Sequence, residues 1–277
     1  MGKNPEQVEL KMYNLPQLGI KYLLHWWHAS NGRGHGIHSP FVYDFVVNVL
    51  ADPAAEKKKY DAIERTREKF RRSSEKIPIL DLGAGSYKNS SSERKIATLV
   101  ESAAKPARFG RLFHRMAVHY GIESILELGT SLGMSTRYFA KALNGGKVYT
   151  VEGAPALASY TRTRLAQEGY KNVIVSDGDF SNALPELLPL LKGRKLIYID
   201  GNHRYSPTMD YFQQILRYIE DDDILIFDDV HWSREMEKAW KEIKNHQQVS
   251  CTIDLFFIGI VFFRKEFKEK CFFSIRF

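Results

Sequence analysis

Three aspartates and one glycine-rich turn are the residues best placed to do chemistry. The run Glu127-Leu-Gly-Thr-Ser-Leu-Gly-Met-Ser135 puts Gly129 and Gly133 where an apolar stretch gives way to a helix-like one. Residues without a Cβ let a ligand approach the backbone at such a turn. Glu152, followed by Gly153, ends the next apolar run, 23 residues after Gly129. An acid at that distance is placed to accept hydrogen bonds from two ribose hydroxyls. The turn reads GxSxG, not GxGxxG, and has no phosphate-loop lysine. It suits a nucleoside with an amino-acid end better than a pyrophosphate. An earlier stretch, Ile79-Leu-Asp81-Leu-Gly-Ala-Gly85, also reads like a cofactor loop. No apolar run ending in an acid follows it, so the second turn is the expected site and 81–86 a pocket edge.

Asp200 ends a fourth apolar run and Asp228-Asp229 end a fifth. Neighbouring strands of a parallel sheet end on one edge, which would bring these carboxylates together. Three hard oxygen donors with no cysteine nearby suit Mg²⁺, Ca²⁺ or Mn²⁺. Equally, Asp200 can bond cofactor or backbone while Asp228 and Asp229 cap the helix opening at Ser233. His203 follows Asp200 by three residues, and an imidazole titrating near 6.5 can act as a base at neutral pH. It can also simply bond its loop or bind metal. His231, beside Trp232, is a candidate ligand, substrate contact or packing residue. His25 and His28 share a helix face, while His35 and His38 flank a glycine-rich loop. With no carboxylate pattern beside them, they read as neighbours of a lid at 31–38 over an acceptor pocket. Trp26, Trp27, Phe41 and Tyr43 read as core.

The elements needed to position these groups are legible. From residue 121, β-like runs at 124–128, 147–151, 172–176, 196–200 and 224–228 alternate with helix-like stretches at 135–143, 155–167, 182–191, 207–219 and 233–245. That alternation means a parallel sheet covered on both faces. Runs at 252–257 and 260–264 have only Ile258-Gly259 between them and must form an antiparallel hairpin. The expected fold is α/β: a Rossmann-like doubly wound sheet of seven strands ending in that hairpin, over 121–277. Residues 1–120 read as a mainly helical region that could close over substrate, with helices at 41–50, where Ser39-Pro40 makes a good start, and at 54–73.

Composition bounds the rest. Hydrophobic residues are 44% and charged residues 26% of 277, as in a globular chain. Two cysteines, Cys251 and Cys271, are too few for a disulfide framework. The longest apolar run, Leu255 to Phe263, is about half of a membrane span. MGKNPEQVEL lacks an apolar signal core, so a cytoplasmic protein is expected. The net charge of +7 lies in the first part. Residues 1–120 hold 20 Lys+Arg against 12 Asp+Glu, and 121–277 hold 20 against 21. Most of that charge alternates in sign between residues 56 and 76, as on a solvated helix face. No nucleic-acid signature accompanies it.

The Glu127–Ser135 turn, the Val-Glu-Gly strand end, Asp200-Gly-Asn-His203 and Phe227-Asp-Asp-Val-His-Trp232 resemble the class I S-adenosylmethionine-dependent methyltransferases. The wording is nearest the metal-dependent catechol and caffeoyl-CoA O-methyltransferase branch, with an N-terminal region like that of uncharacterised bacterial methyltransferases. The resemblance implies S-adenosylmethionine as cofactor. Glu127, Gly129 and Ser131 would border its methionine part, Ser135 would cap the helix and hold its carboxylate, Glu152 would bind its ribose, and Gly178 and Asp179 would flank its adenine, with Thr130, Gly133, Gly153 and Asp200 also at the cofactor. It further implies a divalent cation such as Mg²⁺ on Asp200, Asp228 and Asp229, and a base where His203 stands in place of the family's lysine. The third metal position departs from the family's asparagine, which leaves the metal open. The expected partner is a small-molecule or sugar-like acceptor, with no membrane and no nucleic acid. A homodimer could use the terminal edge Phe272-Phe273-Ser-Ile-Arg-Phe277. Two other readings stay open: a nucleic-acid methyltransferase using the basic N-terminal region, and a cofactor-binding module without catalysis. No Asn/Asp-Pro-Pro-Tyr motif supports the former.

Overall fold

A computed structural model describes residues 12–34, 37–79 and 92–277. His35 and the Asp81–Gly85 glycine stretch lie outside the described residues. The N-terminal region opens with α1 (Leu15–His28), closed at its start by a capping box between Asn14 and Gln17. Ser39 caps α2 (Pro40–Asp44), which runs into a π-helical turn at Phe45–Leu50. A 3₁₀ stretch, Ala54–Tyr60, leads into α3 (Asp61–Arg71). Strands β1 (Lys76–Ile79) and β2 (Ser92–Lys95) pair antiparallel as a separate small sheet, which the sequence reading did not anticipate. Then come α4 (Ile96–Ser102) and α5 (Ala107–His119).

Five β/α units follow: β3 (Ser124–Leu128), α6 (Met134–Ala142), β4 (Lys147–Glu152), α7 (Pro155–Gln167), β5 (Val173–Asp177), α8 (Phe180–Leu187), β6 (Lys195–Ile199), α9 (Tyr205–Ile215), β7 (Ile224–Asp228) and α10 (Arg234–Asn245). The chain ends in β8 (Cys251–Asp254), β9 (Ile258–Phe262) and β10 (Cys271–Ser274). The sheet order is β10-β8-β9-β7-β6-β3-β4-β5. Only β9 runs antiparallel to its neighbours, inserted between β7 and β8. The seven expected strands are all present, with β10 added at the edge, parallel to β8.

The hairpin turn is not at Ile258-Gly259, which both lie within β9. It falls at residues 255–257, where Phe256 takes a left-handed φ of 69° and its amide is held by Asp254 Oδ1 at 2.9 Å. Gly259 serves packing: a Cβ there would sit 2.6 Å from the Trp240 ring.

Alternate residues of the central strands feed two apolar layers. Ile125, Tyr198 and Ile260 pack with Phe109, Phe113 and Phe139 on one face. Leu126, Ile197 and Val261 pack with Leu184, Phe212 and Trp240 on the other. The first layer also takes in Val42, Phe45 and Val49, so one apolar core crosses residue 120 and α5 covers the sheet directly. Trp26, Trp27 and Tyr43 are exposed rather than core, along with Leu15, Ile20, Leu23 and Leu24 of α1; Phe41 packs against the core. Among the described residues no helix is long and apolar enough to cross a membrane.

Candidate functional site

Because β3, β4, β6 and β7 are parallel neighbours, their C-terminal ends share one edge, and a cavity of about 1140 Å³ opens there. That exceeds the usual range of small-molecule sites, about 300–1,000 Å³, leaving room for a nucleoside and a second molecule. Gly129, Ser131, Glu152, Gly153, Gly178, Asp179, Asp200, His203, Asp228 and Asp229 all line it.

The turn after β3 is tied down on several sides. The amides of Gly129 and Thr130 bond the Val151 carbonyl at 2.9 and 3.2 Å. Gly129 has φ of 109°, and a Cβ on it would lie 1.9 Å from the Asp200 carbonyl oxygen. This glycine thus lets two strand ends touch. Gly133, with φ of 68°, is the cap position of α6, which leaves Ser135 in the first turn instead of at the cap. Ser135 donates its hydroxyl to Glu127. Thr136 and Thr150 do so as well, at 2.5 and 2.7 Å. Glu127 is wholly buried and does not line the cavity; burial pushes its carboxyl up to about 7 against those three donors. Thr130 is buried too, 2.6 Å from the Thr150 hydroxyl. The turn is braced from below by the buried Arg137, which bonds the carbonyls of Leu132 and Gly133 and pairs with Glu168 at 2.7 Å.

Glu152 faces the cavity from the end of β4. Its Oε2 accepts from the Ser131 amide at 2.7 Å and its Oε1 from the Ala154 amide at 3.0 Å. Burial raises its pKa, with these amides opposing. Each carboxylate oxygen keeps a second lone pair for a hydroxyl. Gly153 and Gly178 border open space, since an added Cβ on either would meet nothing within 4 Å. Asp179 is the cap residue of α8, accepting from Ser181 and Asn182 through Oδ1.

The aspartates do converge, around a group the sequence did not reveal. Lys105 Nζ lies 2.9 Å from Asp228 Oδ2 and 2.7 Å from Asp229 Oδ1. Burial disfavours its ammonium, but the charges of Asp228, Asp229 and Asp200 outweigh that and raise its pKa. Burial pushes Asp200 up to about 6, opposed mainly by Lys105, and raises Asp228 well above the usual range with the help of Asp200's charge. Tyr198 donates to Asp200 Oδ2 at 3.0 Å, and His203 Nε2 stands 3.7 Å from Asp200 Oδ1. Among the described residues no donor group reaches the buried Asp228 Oδ1. Nothing in Ser-Ala-Ala-Lys-Pro signalled Lys105: it has no periodicity and lies over 90 residues from its partners.

Lys105 bears on whether a divalent cation fits. Two of the three expected carboxylate ligands, Asp228 and Asp229, already hold the ammonium. Ligand atoms of Asp200, His203 and Asp228 also approach within 4.8 Å of one another, but this set shares Asp228 with Lys105. A divalent ion about 4 Å from an ammonium is repelled by roughly 8 kcal/mol at an effective dielectric constant of about 20. With Lys105 in place the residues do not fit a divalent cation.

Left-handed backbone concentrates at this rim. Of the four described non-glycine residues with positive φ, Ser131, Asn202 and Asp229 line the cavity. Such strain persists where surroundings over-determine it, often at functional sites. The N-terminal region contributes a wall at residues 100–109 with Glu64, Arg67 and Arg71. The described part of the 31–38 loop, expected as the lid, does not line the cavity; Gly34 lies against Tyr43 and Gly32 against Arg276. His231 is likewise absent from the cavity lining. Its ring stacks on Phe256 and bridges Asp254 at 2.8 Å and Glu237 at 3.2 Å, with His25 beyond Asp254 at 3.8 Å.

Residues 126–230 match the family model described as a methyltransferase domain. A protein-L-isoaspartate O-methyltransferase of Aeropyrum pernix is 34% identical over 91 residues, 32% of this chain and 35% of that protein. A catechol O-methyltransferase of Niastella koreensis is 29% identical over 124 residues, 44% of this chain and 55% of that protein. The chain thus spans between about a third and just over half the length of these curated relatives. An O-methyltransferase from Bacillus cereus, solved in complex with SAH, is similar in fold with a TM-score of 0.52 at 18% identity, covering 80% of this chain and 96% of that one. Residues 126–230 thus match a methyltransferase domain, and the mostly parallel, Rossmann-like sheet around them has the fold of solved methyltransferases.

Proposed function

We propose that the protein is an S-adenosylmethionine-dependent O-methyltransferase acting on a small-molecule or sugar-like acceptor. The observation that carries this reading is one shared volume: the Ser131–Glu152 contact and the Lys105–aspartate cluster face the same cavity. The cavity fits the cofactor, because Gly153 and Gly178 leave open floor and Glu152 offers fixed oxygens. Glu152 would hold the ribose, Gly178 and Asp179 the adenine, and Gly129 and Ser131 the methionine part. Glu127, Thr130, Gly133 and Ser135 would shape the turn from behind. When bound, S-adenosylmethionine supplies a methyl group on a sulfonium and leaves as a neutral thioether. His203 would take the acceptor hydroxyl's proton at Nδ1, its Nε2 being the nitrogen turned towards Asp200 Oδ1 at 3.7 Å. The divalent cation expected on Asp200, Asp228 and Asp229 has no step in this reaction. The exposed Phe272 at the terminal edge supports a homodimer contact there, which sedimentation would report.

The test is transfer from methyl-labelled S-adenosylmethionine to separate panels of hydroxylated small molecules, isoaspartyl peptide and RNA. Label on a small-molecule hydroxyl is expected. Label on RNA or peptide alone, or cofactor binding without turnover on any panel, would overturn the reading.

A further inference from the structure

We infer that Lys105 occupies the cation position of this site: its ammonium, delivered by the N-terminal region, closes the aspartate cluster to divalent ions and faces the acceptor oxygen in their stead. The inference rests on the proposed methyl transfer for its chemistry, but the occupancy of the position can be measured without it.

The geometry is built, not incidental. Lys105 is largely buried; it donates a charge-assisted hydrogen bond of ordinary length to Asp229 at 2.7 Å and forms an ion pair with Asp228 at 2.9 Å. Both partners come from the end of β7, the sheet position from which a metal would be held. Pro106 follows Lys105 and restricts it to extended backbone. Pro106 also opens α5, whose Phe109 and Phe113 are buried in the sheet-facing core. The backbone that carries Lys105 is therefore held in place, and its ion pairs with Asp228 and Asp229 aim the ammonium. On the other side, Asp229 is fixed in a left-handed conformation, φ 52°, by its amide on the Phe257 carbonyl at 2.8 Å.

A fixed cation serves an oxygen nucleophile as a metal does in one respect: it stabilises negative charge developing on the hydroxyl oxygen as the proton leaves. Three donor hydrogens let Lys105 bond Asp229, keep its ion pair with Asp228 and still reach one acceptor oxygen. Asp228 Oδ1, which no donor reaches among the described residues, marks remaining polar capacity beside it. This arrangement favours acceptors whose hydroxyl reaches a single ammonium over those needing two oxygens chelated by one ion.

The experiment is Mn²⁺ titration followed by electron paramagnetic resonance on wild type, Lys105→Ala and Lys105→Arg. S-adenosylhomocysteine titration calorimetry on each shows that the cofactor half is folded. Wild type and Lys105→Arg should leave the free Mn²⁺ signal unchanged, and Lys105→Ala should deplete it. With an acceptor from the panel, chelator should not change the wild-type rate, and Lys105→Met should lower kcat about 100-fold with S-adenosylhomocysteine affinity kept. Stoichiometric Mn²⁺ on wild type, lost in Asp228→Asn, would overturn the inference, as would chelator-sensitive transfer or an unchanged kcat in Lys105→Met. Absent S-adenosylhomocysteine binding would instead sink the proposed function, while the Mn²⁺ arm would still decide who holds the position.

Discussion

Ser131 and Glu152 are joined across the sheet edge: the amide of the first donates to Oε2 of the second at 2.7 Å, so the turn after β3 and the acid ending β4 form one rigid corner. Ser131 adopts φ of 46° to make this contact. The corner explains why a glutamate is needed beyond any direct role with ribose. Glu152→Ala removes the proposed ribose acceptor and leaves two amides, of Ser131 and Ala154, without their partner. Hydrogen bonds to a charged group are worth about 1.5–3 kcal/mol. We expect S-adenosylhomocysteine affinity to fall at least about tenfold in equilibrium dialysis; unchanged affinity would place the nucleoside elsewhere.

Glycine is required at Gly129 for two independent reasons, the left-handed φ and the Asp200 carbonyl 1.9 Å from any Cβ. Gly129→Ala should cost about 3 kcal/mol or more, summing backbone strain and overpacking. For a chain of this size that lowers Tm by roughly 6–12 °C. Gly19 within α1 meets nothing within 4 Å. Gly19→Ala should have the opposite sign, stabilising α1 by up to about 1 kcal/mol and slowing its amide exchange on the order of fivefold. Equal effects at both positions would contradict this account of the turn.

His231 fastens the N-terminal helix to the sheet and makes that junction sensitive to pH. Burial alone would lower its pKa, but bonds to Asp254 and Glu237 overturn this and push it up to about 9. Glu237 also accepts from Tyr13 at 2.6 Å and Lys21 at 2.8 Å, linking α1 and its entry to α10. Because the folded pKa lies above the unfolded value of about 6.5, the stabilisation is complete below that pH and is lost as pH rises through about 9. It amounts to at most about 3 kcal/mol. Stability measured by urea unfolding should therefore decline between pH 6.5 and 9 in wild type. His231→Gln should flatten that slope, and a slope that survives the substitution would assign it to another group.

Much of the cofactor half was legible because short strands buried on both faces must be continuous apolar runs. The bounds of β3 and β7 follow directly from those runs, and Glu152 and Asp228 end their strands where expected. What the sequence concealed depends on long-range contact. Gly259 looks like a turn residue by type, yet it is a strand residue pressed on Trp240. β10 is short, follows a charged stretch and alternates partly buried with exposed, so nothing marked it as a sheet member. Lys105 is an ordinary lysine until α5 carries it to Asp228 and Asp229. Glu127 was expected beside the cofactor, but three hydroxyls that no spacing rule connects draw it below the turn.

The central claim is that the edge formed by β3, β4, β6 and β7 holds a sulfonium nucleoside. Isothermal titration of the wild-type protein with S-adenosylhomocysteine, and separately with NAD⁺ and ATP, tests it most directly. The account predicts one saturable site for S-adenosylhomocysteine and no heat from the other two. Silence with S-adenosylhomocysteine, or saturable binding of NAD⁺ or ATP in its place, would contradict it.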